Sequence, residues 1–137
     1  MSANARIDVL FVCLHGSAKS VVATAYFRRL AAERGLAFSS ASAGVEPDSD
    51  VSPITLDGLT SDGMNVPISR PNRLTDALLA SSCCVVSFGC DLGPFGCDRA
   101  IIDWSDVPAV SDGYPEAREV IVARVTALLD ELAQLSC

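Results

Sequence analysis

Residues 8–20 read DVLFVCLHGSAKS, and they contain features that predict both a buried strand and a ligand-binding loop. From Val9 to Cys13 it is apolar and rich in β-forming residues, which predicts a strand buried on both faces. A helical pattern of apolar residues begins at Ser20. The intervening loop therefore joins a buried strand to a helix N-terminus, where backbone N–H groups converge. Such a loop is where α/β proteins bind anions, so we expect an anion-binding loop here.

The loop carries a nucleophile and a cation. Cys13 opens it, and Lys19 follows six positions later. Backbone N–H donors and a nearby ammonium group favour the thiolate, which is the reactive form of cysteine. The chain's only lysine and its only histidine, His15, both lie in this loop. We interpret His15 as ordering the loop by hydrogen bonding, with proton transfer as the alternative. Ser20 begins the helix, and its hydroxyl can also donate to the Cys13 thiolate.

Composition limits the possible functions. The chain has 137 residues, half of them hydrophobic, which predicts a single domain over residues 1–137. A net charge of −7 argues against nucleic acid or an anionic membrane surface as a partner. We expect no signal peptide and no membrane span, and therefore a cytoplasmic protein whose six cysteines are thiols rather than a disulfide framework. We expect no metal site, because there is no Cys-x2-Cys pair and no second histidine.

Strand and helix patterns alternate along the rest of the chain. The predicted elements after the first strand are a helix from Ser20 to Arg34, a strand from Ala37 to Ala43, a helix from Ser52-Pro53 to Asp62, a Thr75-capped helix to Ala80, a strand from Cys83 to Phe88, a loop from Gly89 to Arg99, a strand from Ala100 to Asp103, and a last helix from Tyr114. This βαβ alternation predicts an α/β fold with one four-stranded parallel sheet and helices on both faces. Its ligand site is expected beyond the carboxyl ends of the strands.

The loop resembles a known signature. Cys-x5-Lys-Ser is similar to the Cys-x5-Arg-Ser/Thr loop of the low-molecular-weight protein tyrosine phosphatases and of the thiol-dependent arsenate reductases that share their fold. The reductases typically carry Cys-x-His-Asn-Ser-Ala-Arg-Ser. The positions that match this reductase pattern are Cys13, His15, Ser17, Ala18 and Ser20. The resemblance extends over nearly the whole chain and implies a flavodoxin-like strand order.

Two positions depart from the signature. Gly16 replaces the usual Asn, and Lys19 replaces the Arg that holds the oxyanion through two parallel hydrogen bonds. Lysine supplies charge but no planar fork, so this replacement is not conservative. The resemblance implies that the oxyanion is bound by the loop residues Leu14, His15, Gly16, Ser17, Ala18, Lys19 and Ser20.

Two further cysteines follow the third predicted strand. Cys90 stands where the arsenate reductases have a resolving cysteine, and Cys97 follows at a spacing resembling that of the thioredoxin-coupled reductases. The resemblance implies that Cys90 resolves a Cys13 adduct as a disulfide and that Cys97 can relay it. The alternatives are a buried apolar role for Cys90 and a plain loop thiol for Cys97. Cys83 and Cys84 lie within the strand and are predicted to be core residues.

The general acid is harder to place. The family has Asp-Pro a few residues after a Trp, whereas this chain reads Trp104-Ser-Asp-Val-Pro108. Asp106 is the candidate proton donor, with Asp103 and Asp112 as rivals. The Glu that helps to bind potassium in some reductases is Thr24 here, so no specific potassium site is expected.

Three functions remain open. The first is an arsenate-reductase-like enzyme in which Cys13 attacks the oxyanion and Cys90, then Cys97, resolves the adduct. It needs no bound cofactor but an external thiol reductant, either thioredoxin or a low-molecular-weight thiol. The second is a phosphatase that forms a Cys13 thiophosphate from a phosphorylated substrate. The third is an oxyanion-binding protein impaired in catalysis because Lys19 replaces Arg.

Overall fold

A computed structural model describes residues 6–66, 68, 70–89, 92 and 100–135. The elements in chain order are β1 (Ile7–Cys13), α1 (Lys19–Glu33), β2 (Ser40–Gly44), α2 (Pro53–Ser61), α3 (Asp76–Ala80), β3 (Ser82–Ser87), β4 (Ile102–Asp103), a short 3-10 helix (Val110–Asp112) and α4 (Tyr114–Leu135). None of the helices in these ranges is long and apolar enough to cross a membrane.

The four strands form one parallel sheet with the order β2-β1-β3-β4. Strand β1 lies at its centre, with Cys13 opposite Gly44 of β2 and Val12 opposite Ser87 of β3. The predicted α/β fold and four-stranded parallel sheet are therefore confirmed. Because all strands run in one direction, the loops after β1, β2, β3 and β4 leave from a single edge of the sheet.

Each face of β1 packs into a separate apolar cluster. Val9 and Phe11 face the cluster formed with α1 and α4, whereas Leu10 and Val12 face the one that includes Leu79 of α3. The continuous apolar run in β1 is thus explained by burial on both sides. Helix α2 packs through Leu59 against α1.

Aromatic residues connect the centre of the sheet to the edge at which the strands end. Phe88 and Trp104, which directly follow β3 and β4, have ring centroids 5.8 Å apart. The Phe11 ring contacts both of them, at 6.5 Å and 5.8 Å. The starts of the two loops are therefore fixed to the core by buried aromatic packing.

Several predicted boundaries shift. Strand β2 begins at Ser40 rather than Ala37, because the Asp8 carboxylate accepts a hydrogen bond from Ser39 N (2.8 Å) and removes this N–H from the ladder. Helix α1 begins at Lys19, one residue early. The core prediction is wrong for Cys83, which is exposed at the outer end of β3. Thr75 caps α3 as predicted, since its side chain accepts a hydrogen bond from Leu78 N.

Candidate active site

A cleft of about 890 Å³ opens where the strands end. Its walls come from the loop after β1, the segment after β2, the start of the loop after β3 and the short 3-10 helix before α4. The lining residues are Cys13, Leu14, His15, Ser17, Ala18, Lys19, residues 48–53, Phe88, Gly89, Ala109, Val110 and Ser111. The cleft thus lies at the edge that the sequence predicts for a ligand site.

In the loop after β1, the carbonyl oxygens are hydrogen-bonded and, within the described part of the chain, the N–H groups are not. Its carbonyl oxygens accept hydrogen bonds from the segment 45–52: Val45 N to Cys13 O (3.3 Å), Glu46 N to Leu14 O (2.7 Å), Asp48 N to His15 O (3.0 Å) and Ser52 N to Ser17 O (2.9 Å). Among the residues that the structure describes, no acceptor pairs with the backbone N–H groups from Leu14 to Ser20. Helix α1 also begins without a side-chain cap. Unsatisfied donors at a helix N-terminus are the chemical requirement for binding an anion.

Two glycines bring this loop against β2. Gly16 has a φ of +61°, in the left-handed region that glycine and, less readily, asparagine adopt. A Cβ atom on Gly16 would lie 2.7 Å from Gly44 N, and one on Gly44 would lie 2.5 Å from Gly16 N. The backbone approach leaves no room for a side chain at either position, which explains why glycine stands at position 16 in this chain.

Cys13 and Ser20 lie together across the loop. Ser20 Oγ is 3.1 Å from Cys13 Sγ, and Ser20 is fully buried as the second residue of α1. A hydroxyl at this distance can donate a hydrogen bond to the sulfur and stabilise its thiolate form. The structure thus brings together the two side chains that the sequence pairs.

His15 and Ser17 both contact Asp48, which follows β2. Ser17 Oγ donates a hydrogen bond to Asp48 Oδ2 (2.8 Å), and His15 Nδ1 lies 3.5 Å from Asp48 Oδ1. His15 Nδ1 is also 3.1 Å from the carbonyl oxygen of Glu46. These contacts agree with the interpretation that His15 orders the loop.

Lys19 points across the cleft. Its Nζ donates a hydrogen bond to the carbonyl oxygen of Val107 (2.8 Å) and lies 6.0 Å from the centroid of the Phe88 ring. One of the three ammonium protons is therefore used to connect α1 to the segment after β4. Lys19 lines the cleft, and two of its protons remain for a ligand.

None of the three candidate acids lies among the described residues that line the cleft. Asp106 forms an ion pair with Arg124 of α4, and the hydrogen bond from this guanidinium lowers the pKa of the Asp106 carboxyl. Asp103 Oδ1 accepts a hydrogen bond from Ser105 N (2.9 Å), and Asp112 lies in the short 3-10 helix. The role of Asp106 as proton donor stays a prediction, and the structure does not bring its side chain to the cleft.

The two proposed resolving cysteines, Cys90 and Cys97, lie outside the described residues. Cys90 follows Gly89 directly in the sequence, and Gly89 lines the cleft. Thr24 is fully buried in α1 and offers only a hydroxyl where some reductases have a carboxylate. In the described ranges, no group of three or more His, Cys, Asp and Glu side chains could hold a metal ion.

Sequence reasoning missed the segment 45–52 as a part of the site. This segment donates hydrogen bonds to the carbonyl oxygens of the loop after β1 and supplies Asp48. Its position in the sequence could have indicated this role, because the segment directly follows β2 and parallel sheets bind ligands beyond the carboxyl ends of their strands.

Comparisons with known proteins show the family and the fold. The sequence profile described as low molecular weight phosphotyrosine protein phosphatase matches residues 8–89. No significant match is found among curated proteins. The chain is an α/β protein whose cleft lies at the cysteine-containing loop after β1. The chain belongs to the low-molecular-weight phosphotyrosine protein phosphatase family.

Solved structures of two activities are similar to this chain. A thioredoxin-dependent arsenate reductase from Corynebacterium glutamicum is 28% identical, with a TM-score of 0.75 over 99% of this chain and 66% of that one. An arsenate reductase from Archaeoglobus fulgidus is 25% identical, with a TM-score of 0.72 over 90% and 99%. A low molecular weight protein tyrosine phosphatase from Bacillus subtilis is 20% identical, with a TM-score of 0.76 over 93% and 98%, which supports the fold alone. The chain thus spans just under two thirds of the length of the first of these proteins.

Proposed function

We propose that this protein is a thiol-dependent arsenate reductase whose nucleophile is Cys13. The observation that carries the proposal is the placement of Cys13 Sγ, 3.1 Å from Ser20 Oγ, at the mouth of a loop whose N–H groups lack acceptors among the described residues. The similarity to two arsenate reductases at 28% and 25% identity supports arsenate as the substrate. The reductase-like His15 and the cysteine at position 90 support it as well.

In the proposed reaction, arsenate binds to the loop N–H groups and to Lys19. The Cys13 thiolate attacks arsenic, an As–S bond forms, and one As–O bond breaks as the oxygen leaves as water after gaining protons. The loop donors stabilise the negative charge that develops on the remaining oxygens. Arsenic is still pentavalent in this adduct.

Reduction follows when the Cys90 thiolate attacks Cys13 Sγ. The S–S bond forms, the As–S bond breaks, and its electron pair stays with arsenic, which leaves as trivalent arsenite. The two thiols together lose two electrons. An external dithiol of the thioredoxin class, or a low-molecular-weight thiol, then reduces the disulfide, with Cys97 as an internal relay.

The direct test compares substrates with the purified protein. Arsenate with a thioredoxin system is expected to consume reductant, whereas an aryl phosphate is expected to be cleaved slowly or not at all. Cys13→Ser should abolish both reactions, because the serine hydroxyl is not ionised at neutral pH and is a weak nucleophile. Rapid aryl phosphate cleavage without arsenate reduction would favour the phosphatase, and protection of Cys13 from alkylation by phosphate without any turnover would favour the oxyanion-binding protein.

Peptide mapping after arsenate treatment tests the resolving step. We expect a Cys13–Cys90 disulfide, or Cys90–Cys97 after relay, and neither in Cys90→Ser. Cys83→Ser is the matched control, because it removes an exposed cysteine of β3 and should leave the disulfide yield unchanged. Recovery of Cys90 as an unmodified thiol in protein whose Cys13 has reacted would contradict the reductase mechanism.

The phosphatase is the second candidate function. The family profile is that of phosphatases, and a cleft of about 890 Å³ is larger than a lone oxyanion requires. This volume falls in the range of pockets that hold drug-sized ligands, so a phosphorylated molecule would fit as well.

Replacement of Lys19 by arginine is expected to increase turnover about tenfold. A guanidinium supplies two parallel hydrogen bonds to an oxyanion, whereas the ammonium of Lys19 already gives one proton to Val107. The measurement is kcat/KM for arsenate in Lys19→Arg, with Lys19→Met as the charge-free comparison. If Lys19→Arg leaves turnover unchanged or reduces it, Lys19 serves a different ligand. The loss of the two parallel guanidinium hydrogen bonds would then not limit turnover.

A further inference from the structure

The wall of the cleft formed by the loop after β1 and the segment 45–52 holds the only histidine of the chain. The His15 side chain is 51% exposed, so solvent and ligand can reach it. The titratable side chains that line the cleft are Cys13, His15, Lys19, Asp48 and Asp50. In the segment after β4, the carboxylate of Asp106 is paired with Arg124, and Asp106 does not line the cleft.

Hydrogen bonding decides which nitrogen of His15 exchanges its proton. The carbonyl oxygen of Glu46 can only accept, so Nδ1, 3.1 Å away, carries a hydrogen in both the neutral and the charged ring. The proton that comes and goes is therefore on Nε2. In the described part of the chain, Nε2 has no hydrogen-bond partner.

Asp48 holds the ring in place. Its Oδ1 lies 3.5 Å from His15 Nδ1, and its Oδ2 is itself fixed by the hydrogen bond from Ser17 Oγ. The Asp48 backbone N–H donates to the carbonyl oxygen of His15 (3.0 Å). Cys13 and His15 line the same cleft, so the oriented imidazole can reach a ligand bound to the loop after β1.

We propose that His15 is the general acid of the Cys13 reaction and that Asp48 is its positioning residue. This inference rests on the proposed function and names the proton donor that it leaves open. When the Cys13 thiolate forms its bond to the oxyanion, the proton on His15 Nε2 passes to the departing oxygen. The bond from this oxygen to arsenic or phosphorus breaks, and the oxygen leaves as water or as an alcohol. His15 is then neutral and takes up a proton from solvent before the next cycle.

The test is chemical rescue of His15→Ala, because an exposed site can admit imidazole from solution. Turnover is measured with arsenate plus the thioredoxin system, because arsenate reduction is the reaction proposed for the wild type. We expect kcat to fall about 100-fold in His15→Ala and to recover at least tenfold when imidazole is added. The affinity of this variant for inorganic phosphate, measured from the stabilisation that phosphate gives, should stay within threefold of the wild-type affinity.

Asp48→Asn and Asp57→Asn form a matched pair. Each removes one negative charge, but only Asp48 contacts the His15 ring through its side chain. Asp48→Asn is expected to reduce kcat about fivefold to tenfold, and Asp57→Asn to leave it unchanged, because Asp57 is exposed on α2 and does not line the cleft.

Three results would overturn the assignment of His15. They are a kcat for His15→Ala within threefold of wild type, a loss of turnover that imidazole does not restore, and a loss of phosphate binding in that variant. Loss of turnover in Asp106→Asn with full activity in His15→Ala would assign the general acid to Asp106 instead. A wild-type protein that does not reduce arsenate would overturn the proposed function itself, and with it this assignment.

Discussion

Gly44→Ala is expected to destabilise the protein by about 2–3 kcal/mol and to abolish oxyanion binding. The added methyl group would lie 2.5 Å from Gly16 N and 2.6 Å from the carbonyl carbon of His15. Both neighbours are backbone atoms of the loop after β1, so the collision can be relieved only by moving this loop. Gly44 cannot retreat, because its N–H donates to Asn72 O (2.8 Å) and its carbonyl oxygen accepts from Leu74 N (2.9 Å).

Gly35→Ala is the matched control. Gly35 follows α1 with a φ of +68° and has no heavy atom within 4 Å of an added Cβ, so alanine there costs only about 1 kcal/mol of backbone strain. Urea denaturation with and without inorganic phosphate measures both effects. Phosphate should raise the denaturation midpoint of the wild type and of Gly35→Ala but not of Gly44→Ala. A Gly44→Ala protein that phosphate still stabilises would show that the loop tolerates a wider separation from β2.

Much of the fold could be predicted because its signals are local. The unbroken apolar run in β1 indicated a strand covered on both faces, and the alternation of strands with helices required parallel connections. The pairing of Cys13 with Ser20 was predictable for the same reason, since a loop of fixed length joins the two residues.

Contacts between distant segments could not be predicted in the same way. The segment 45–52 pairs with the loop after β1 only because β2 lies beside β1, and no local pattern marks Asp48 as a partner of His15 and Ser17. The direction of the Lys19 side chain depends on the Val107 carbonyl, 88 residues away in sequence. Boundaries also depend on single side chains, as Asp8 shows at the start of β2.

A second long-range feature, which the sequence does not indicate, is a polar cluster around Asp62 at the end of α2. Tyr26 of α1 and Tyr114 of α4 donate hydrogen bonds from their hydroxyls to Asp62 Oδ2, at 2.6 Å and 2.8 Å. Arg118 of α4 donates to Asp62 Oδ1 (2.8 Å). The Asp62 side chain is only 13% exposed, so one carboxylate links three helices within a mostly buried site.

Asp62→Asn is therefore expected to lower the free energy of unfolding by about 2–3 kcal/mol, because hydrogen bonds to a charged group are stronger than neutral ones. Asp57→Asn is the control, since it removes the same charge from an exposed position of α2 and should change stability by less than about 0.5 kcal/mol. Urea denaturation at pH 7 measures both. Equal stabilities for the two variants would mean that the cluster forms without contributing net stability.

The same cluster predicts how stability changes with pH. Burial alone would raise the pKa of Asp62, but the hydrogen bonds from Tyr26, Tyr114 and Arg118 lower it overall. The contribution of the ionised Asp62 to stability is therefore complete at neutral pH and is lost below about pH 4. Burial and the hydrogen bond to Asp62 raise the pKa of Tyr26 from 10.0 to about 12. The native state thus favours the protonated phenol. The stability that this preference contributes is complete below pH 10 and is lost between pH 10 and pH 12. We expect the wild type to lose stability in both ranges and Tyr26→Phe to lose less of it in the alkaline one. An alkaline profile that is identical in the two proteins would exclude Tyr26 as its source.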